Sequence, residues 1–106
     1  MKQYILRFSK LSCNPCAILK QAMSTQVLPP EVHLVDIDVN KSMVSLPDKL
    51  SKSDLVAIHD LIDTFSIQSV PTLVVVDSRG NEVQSRLLGQ VTPKEYENWL
   101  LSWVHM

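Results

Sequence analysis

The two cysteines of this chain stand three apart, in Cys13-Asn14-Pro15-Cys16, after a short apolar run and ahead of a helical pattern. Two cysteines placed at random in such a chain fall at that spacing only about 2% of the time, and the spacing is known for redox pairs. At a helix start it sets one sulfur outward and the other one turn in. Disulfide closure needs Cα atoms roughly 4.4–6.8 Å apart, which one helical turn supplies. A loop this short removes little unfolded-state entropy, so the two would make a poor staple. In a reducing compartment a lone close pair is more often catalytic or sensory than structural.

The surrounding pattern says which elements flank the cysteines. Tyr4, Leu6 and Phe8 alternate with Gln3, Ile5 and Arg7, which predicts a strand over 2–8. Cys16, Leu19, Lys20, Met23 and Val27 share a 3.6-residue face, which predicts a helix over 14–26 that stops before Pro29-Pro30. Val32 to Val39 is a second strand, too apolar for a one-faced edge. Residues 40–52 lack periodicity and read as a loop or irregular insertion. A second helix follows from Ser53, capped by Ser53 or Ser51, with Leu55, Ile58, His59, Ile62 and Phe65 on one face and His59 at the core or its boundary.

Val70-Pro71-Thr72 leads into the β-branched run Leu73 to Val76, a buried strand. Asp77 to Asn81 is a turn into a strand over Glu82–Leu88, which Gly89 ends. Thr92-Pro93-Lys94-Glu95 is a full helix-start signal, and Tyr96, Trp99, Leu100 and Trp103 then share a face. The order is βαβ-α-ββα, an α/β chain. Its first three elements imply parallel strands with a right-handed crossover, and the Gly80 turn implies an antiparallel hairpin.

Composition narrows the function classes. The 106 residues suit a single domain, 1–106, with one core. A net charge of −1 offers no basic face to nucleic acid. No apolar stretch approaches the ~20 residues of a membrane helix. The N-terminus carries charge too soon for a signal-peptide core of roughly 7–15 residues, so a cytoplasmic location is expected. Two cysteines cannot close an all-thiolate zinc site, and His33, His59 and His105 share no spacing, so no metal is expected.

This order, with Cys13-x-x-Cys16 after the first strand and Val70-Pro71-Thr72 opening the third, resembles the thioredoxin superfamily over nearly the whole chain. Within it the chain is similar to compact thioredoxins of the kind bacteriophages encode. Its start directly on the cysteine-bearing strand is a glutaredoxin-like minimal layout. The Pro-Tyr and Gly-Gly-x-Asp signatures of glutaredoxins are absent, the latter stretch being Leu88-Gly89-Gln90-Val91-Thr92, while Asn14-Pro15 keeps the thioredoxin proline. The resemblance implies a thioredoxin fold, a four-stranded mixed sheet flanked by three helices. It also implies a cis Pro71 that faces the cysteines and leaves the preceding backbone able to pair with a substrate. Three departures stand out. Ser12 replaces a tryptophan; Arg7 replaces a buried aspartate, with Leu34 in place of that aspartate's lysine neighbour; and the stretch from Asp38 to Pro71 is longer, with the extra residues around 40–55.

In that family's terms Cys13 attacks and Cys16 resolves. The helix N-terminus favours a Cys13 thiolate. A pKa lowered from ~8.5 to ~7 raises the thiolate fraction from roughly 3% to 50%, and reduced nucleophilicity leaves about a threefold net gain. The larger benefit is a better leaving group when Cys16 attacks the mixed disulfide. The redox-active disulfide Cys13–Cys16 is then the only redox group, with no bound cofactor. Ser12, Val70 and Pro71 are expected to contact substrate. Arg7 either lies beneath the site, where a cation would depress both thiol pKa values, or reaches solvent or pairs with Asp36 or Asp38. The implied function is reduction of protein disulfides by a monomer recharged by a thioredoxin reductase, with ribonucleotide reductase a family-plausible acceptor. Two alternatives stay open: a glutaredoxin-like donor recharged by glutathione, and a non-catalytic binding module. Because the strand before it runs parallel to the first, the 40–52 loop begins at the active-site end and could border the substrate groove.

Overall fold

The computed structural model describes residues 2–47 and 55–104. The elements are β1 (Gln3–Ser9), α1 (Asn14–Met23), β2 (Val32–Asp38), β3 (Met43–Val44), β4 (Val56–Ala57), α2 (Ile58–Thr64), β5 (Thr72–Asp77), β6 (Leu87–Leu88) and α3 (Pro93–Trp103). Four strands form one mixed sheet in the order β2-β1-β5-β6, with β1 parallel to β2 and antiparallel to β5. This is the α/β architecture with a four-stranded mixed sheet that the resemblance implies, with a small antiparallel ribbon of β3 and β4 added.

The alternation along β1 divides the core between the two sheet faces. Tyr4, Leu6 and Phe8 join Val74, Val76, Val35 and Ile37 against Ile58 and Leu61 of α2 and Phe65 at its C-cap. Ile5 joins Leu73 and Val75 against α1 and α3, where Leu19, Tyr96, Leu100 and Trp103 are buried. A central β5 covered on both faces explains its unbroken apolar run. The third helix starts as its sequence dictates. Thr92 accepts from the Glu95 amide at 3.1 Å, Glu95 accepts from the Thr92 amide at 3.1 Å, and Pro93 occupies the first turn. Val91 and Tyr96, one residue before the cap and four after it, are both buried in the same cluster, as a hydrophobic staple requires.

Several expected boundaries move, each for a local reason. The first helix ends at Met23, not 26, because the hydroxyls of Ser24 and Thr25 bond the carbonyls of Gln21 and Ala22, and Val27 is left in solvent. The second begins at Ile58, because Val56 and Ala57 are held extended in the ribbon and Ile58 N–H donates to Ser42. Ala57 stands at its N-cap, and the expected caps Ser51 and Ser53 lie outside the described residues. His59 is exposed rather than at the core, with Nε2 3.0 Å from Asp60 Oδ1. Part of the expected 40–52 loop is strand β3, while 48–54 lie outside the described residues.

The expected strand over 82–88 contracts to Leu87–Leu88 and a single bridge between Val76 and Glu82. In between, Ser85 gives its carbonyl to Trp99 Nε1 at 2.8 Å, and Arg86 bonds Glu82 and the Phe65 carbonyl. Finally, β2 is an edge strand. Val35 and Ile37 are buried on the α2 side, whereas His33, Leu34 and Asp36 are exposed.

Candidate functional site

The first helix begins where β1 delivers the chain, and Cys13 is its N-cap in extended conformation. Cys16 N–H donates to Cys13 Sγ at 3.2 Å, so the sulfur takes the place of a capping oxygen. Asn14 and Pro15 fill the first turn, where a proline forfeits no helical hydrogen bond. No acidic residue lies in that turn to oppose negative charge on sulfur. The two cysteines form a disulfide with Cα atoms 5.2 Å apart. Their exposure differs: Cys16 is 1% exposed, while Cys13 is only partly covered. One sulfur is therefore reachable and the other is held behind it.

Cys13 opens into a groove of about 670 Å³. The chain brings Ser12, Asn14 and Pro15 to it from the helix start, and Ser69 and Val70 from the segment before β5. The Val70–Pro71 peptide is cis, as the resemblance implies. Pro71 itself is buried and does not line the groove, and its carbonyl accepts from Gly89 N–H at 2.9 Å. Gly89 makes this approach at φ +76°, a backbone conformation side chains disfavour. Sequence reasoning missed Lys10, Val39, Ile62, Ile67 and Gln68, which also line the groove. Four of them share a signal of position, Lys10 and Val39 just after β1 and β2 and Ile67 and Gln68 at the approach to the cis proline, while Ile62 comes from within α2. Asn40, the first residue of the 40–52 loop, lines it too, so that loop does border the groove at its start.

Arg7 is not in the groove. It stands opposite Asp36 in the β1–β2 register, and its Nε donates to Asp36 Oδ1 at 3.1 Å. Its Nη1 faces Met23 Sδ at 3.7 Å, and its side chain is 14% exposed. Of the two carboxylates expected for it, Asp36 is the partner; Asp38 instead accepts from the Asn40 amide at 2.9 Å. Neither cysteine hydrogen-bonds to Arg7. On the same side of the sheet, burial pushes the Tyr96 hydroxyl above its ordinary pKa, and the Arg7 charge pulls against that rise.

Among the described residues, no group of three or more histidine, cysteine or acidic side chains is placed to hold a metal. No helix among them is long and apolar enough to cross a membrane.

A disulfide at a helix N-terminus, one sulfur accessible, on a β2-β1-β5-β6 sheet with a cis proline ahead of β5, defines a thiol–disulfide redox scaffold. The model of the thioredoxin-like domain matches residues 1–102, and the chain belongs to that family. Solved structures similar to it include thioredoxins. An N21Q mutant thioredoxin from Halobacterium salinarum superposes with TM-score 0.68 at 18% identity, covering 99% of this chain and 77% of that one. The germline-specific thioredoxin Deadhead of Drosophila melanogaster gives 0.69 at 16%, covering 97% and 82%. The thioredoxin NaTrxh of Nicotiana alata gives 0.65 at 24%, covering 98% and 75%. No curated protein sequence matches the chain. Fold and cysteine pair together support thiol–disulfide oxidoreductase chemistry.

Proposed function

We propose that the protein reduces disulfides in other proteins in a reducing, cytoplasmic setting, acting as a monomer. The observation that carries this reading is the unequal burial of two cysteines one turn apart, with the accessible one in a groove. In the reduced protein the Cys13 thiolate attacks one sulfur of a substrate disulfide. A mixed disulfide forms and the first substrate thiolate leaves. The Cys16 thiolate then attacks Cys13 Sγ, closing the internal disulfide and releasing the second substrate thiolate. Two electrons pass from the dithiol to the substrate, and the two protons of the dithiol end on the substrate thiols. The Cys16 amide that faces Cys13 Sγ supports negative charge on that sulfur, both as nucleophile and as leaving group. Ser12 and Val70 line the groove, and in this reading the backbone ahead of Pro71 pairs with the incoming chain. No bound cofactor is needed, since the sulfurs carry the electrons.

The recharging partner in this reading is a flavoprotein thioredoxin reductase, and ribonucleotide reductase is one candidate acceptor. The test supplies a disulfide-bonded protein with NADPH and either thioredoxin reductase or glutathione plus its reductase. Turnover with the first system and little with the second is expected, and Cys16→Ser should accumulate a mixed disulfide through Cys13. Turnover with glutathione alone would replace the reductase by glutathione. If neither system turns over and no mixed disulfide can be trapped, the reductase reading is wrong.

A further inference from the structure

We propose that the groove selects disulfides flanked by acidic residues, with Lys10 as the side chain that sets this preference. The inference rests on the groove being the substrate cleft. Val39, Ile62, Ile67 and Val70 give it an apolar wall. Its polar lining is made of serine, asparagine and glutamine, apart from one charged side chain, Lys10. Among the described residues no carboxylate lines it.

Lys10 follows directly on β1, three residues before Cys13, and is exposed. Its ammonium has no ion-pair partner among the described residues. The acidic group closest to it in the β1–β2 register, Asp38, is opposite Ser9 and turns its carboxylate to the Asn40 amide. Asp60 and Asp63 of α2 are exposed but do not line the groove. A chain laid beside Cys13 therefore meets apolar surface, neutral hydrogen-bonding groups and one unspent cation. An aspartate or glutamate next to its disulfide finds a partner there, and a lysine meets repulsion.

An exposed pair of this kind is weak, and reversing the substrate charge counts attraction against repulsion. The expected discrimination between a glutamate and a lysine at the flanking position is about fivefold in rate at low ionic strength, shrinking toward unity in high salt. The chemistry is the exchange already written: the substrate S–S bond breaks, the Cys13–Cys16 bond forms, and dithiothreitol returns the protein to the dithiol.

The test uses three peptides, each closed by one disulfide and identical except for Glu, Gln or Lys beside the reactive cysteine. Single-turnover reduction by the pre-reduced wild type, Lys10→Gln and Lys10→Glu is followed at low and high salt. Within each protein the ratio between peptides cancels any change that Lys10 makes to Cys13 nucleophilicity. The expected order is Glu over Gln over Lys for wild type, flattened in Lys10→Gln and inverted in Lys10→Glu. Equal rates for the three peptides in wild type, or a glutamate preference that survives Lys10→Glu, would overturn the proposal and leave the reductase function standing. Failure to reduce any of the peptides would overturn the reductase reading itself.

Discussion

Reducing the Cys13–Cys16 disulfide should leave the protein folded and only modestly less stable, and the size of that loss separates a redox centre from a structural staple. The disulfide joins residues with a sequence separation of 3. Closing a four-residue loop removes about 6 cal/mol/K from the unfolded ensemble, or about 2 kcal/mol at 25 °C. The Cα separation of 5.2 Å is ordinary for a disulfide and for one helical turn, so neither redox state asks the backbone to move. The folding energy lies instead in the two apolar clusters on either side of the sheet, neither of which includes a cysteine. Urea unfolding of the oxidised protein, and of the same protein in excess dithiothreitol, measures the difference. With a slope typical of small domains, ~1–3 kcal/mol/M, the midpoint should fall by roughly 1 M on reduction. Unfolding of the reduced form in plain buffer would make the cysteines a staple and refute the argument. An oxidised form less stable than the reduced one would refute it from the other side, since loop entropy can only favour the closed state.

Three further outcomes are expected. Tyr96 is buried and its pKa is raised by desolvation, so the folded chain holds its proton where the unfolded chain has lost it. Stability is therefore full below about pH 10 and falls as pH rises beyond it, by about 1.4 kcal/mol per unit of elevation. Tyr96→Phe should remove this alkaline slope from urea midpoints measured between about pH 8 and 11, and an unchanged slope would show that Tyr96 is not its source. Thr92→Ala breaks the reciprocal hydrogen bonds at the start of α3 and should cost about 1 kcal/mol, while Thr92→Asn or Thr92→Ser should restore most of it; equal stability for all would empty the cap of energetic content. For Arg7, the ion pair with Asp36 joins β1 to β2, so Arg7→Met and Asp36→Asn should each lower the urea midpoint and the double variant should lose less than the sum of the two. Strictly additive losses would mean that the pair carries no coupling energy.

What the sequence could show was set by local physics. Alternation in β1, the valine run of β5 and the Thr92–Glu95 cap are local signals, and each appears where its pattern requires. The placement of Cys13 and Cys16 at a helix start was equally legible, because spacing alone determines that they can meet. Signals whose outcome depends on distant partners misled. Leu55 and His59 fit a helical face, but extended pairing of Val56 and Ala57 with Val44 and Met43 delays that helix, and His59 ends in solvent. The turn before Glu82 and the break at Gly89 mark out a strand over 82–88, yet Ser85 and Arg86 are claimed by Trp99, Glu82 and Phe65. The groove is the extreme case. Lys10, Val39, Ile62 and Gln68 come from four separate places along the chain, and nothing in their neighbours marks them as one surface.

Arg7 shows how the fold converts a doubtful residue into an assigned one. A cation packed between a sheet and its helices needs a partner. The parallel register of β1 and β2 supplies it, because Arg7 and Asp36 are directly opposite and their side chains meet. What the cysteines would feel from that side is then the field of a paired cation and anion, which falls off faster with distance than that of a single charge. Lys10 stands differently, on the same groove as Cys13, with no ion-pair partner among the described residues. If that groove receives the substrate, the electrostatic control proposed for this site belongs to its rim, where Lys10 faces the charge of an incoming chain. Arg7 is paired within the sheet, and under the proposed specificity Lys10, which nothing in the sequence singled out, carries the charge that a substrate meets.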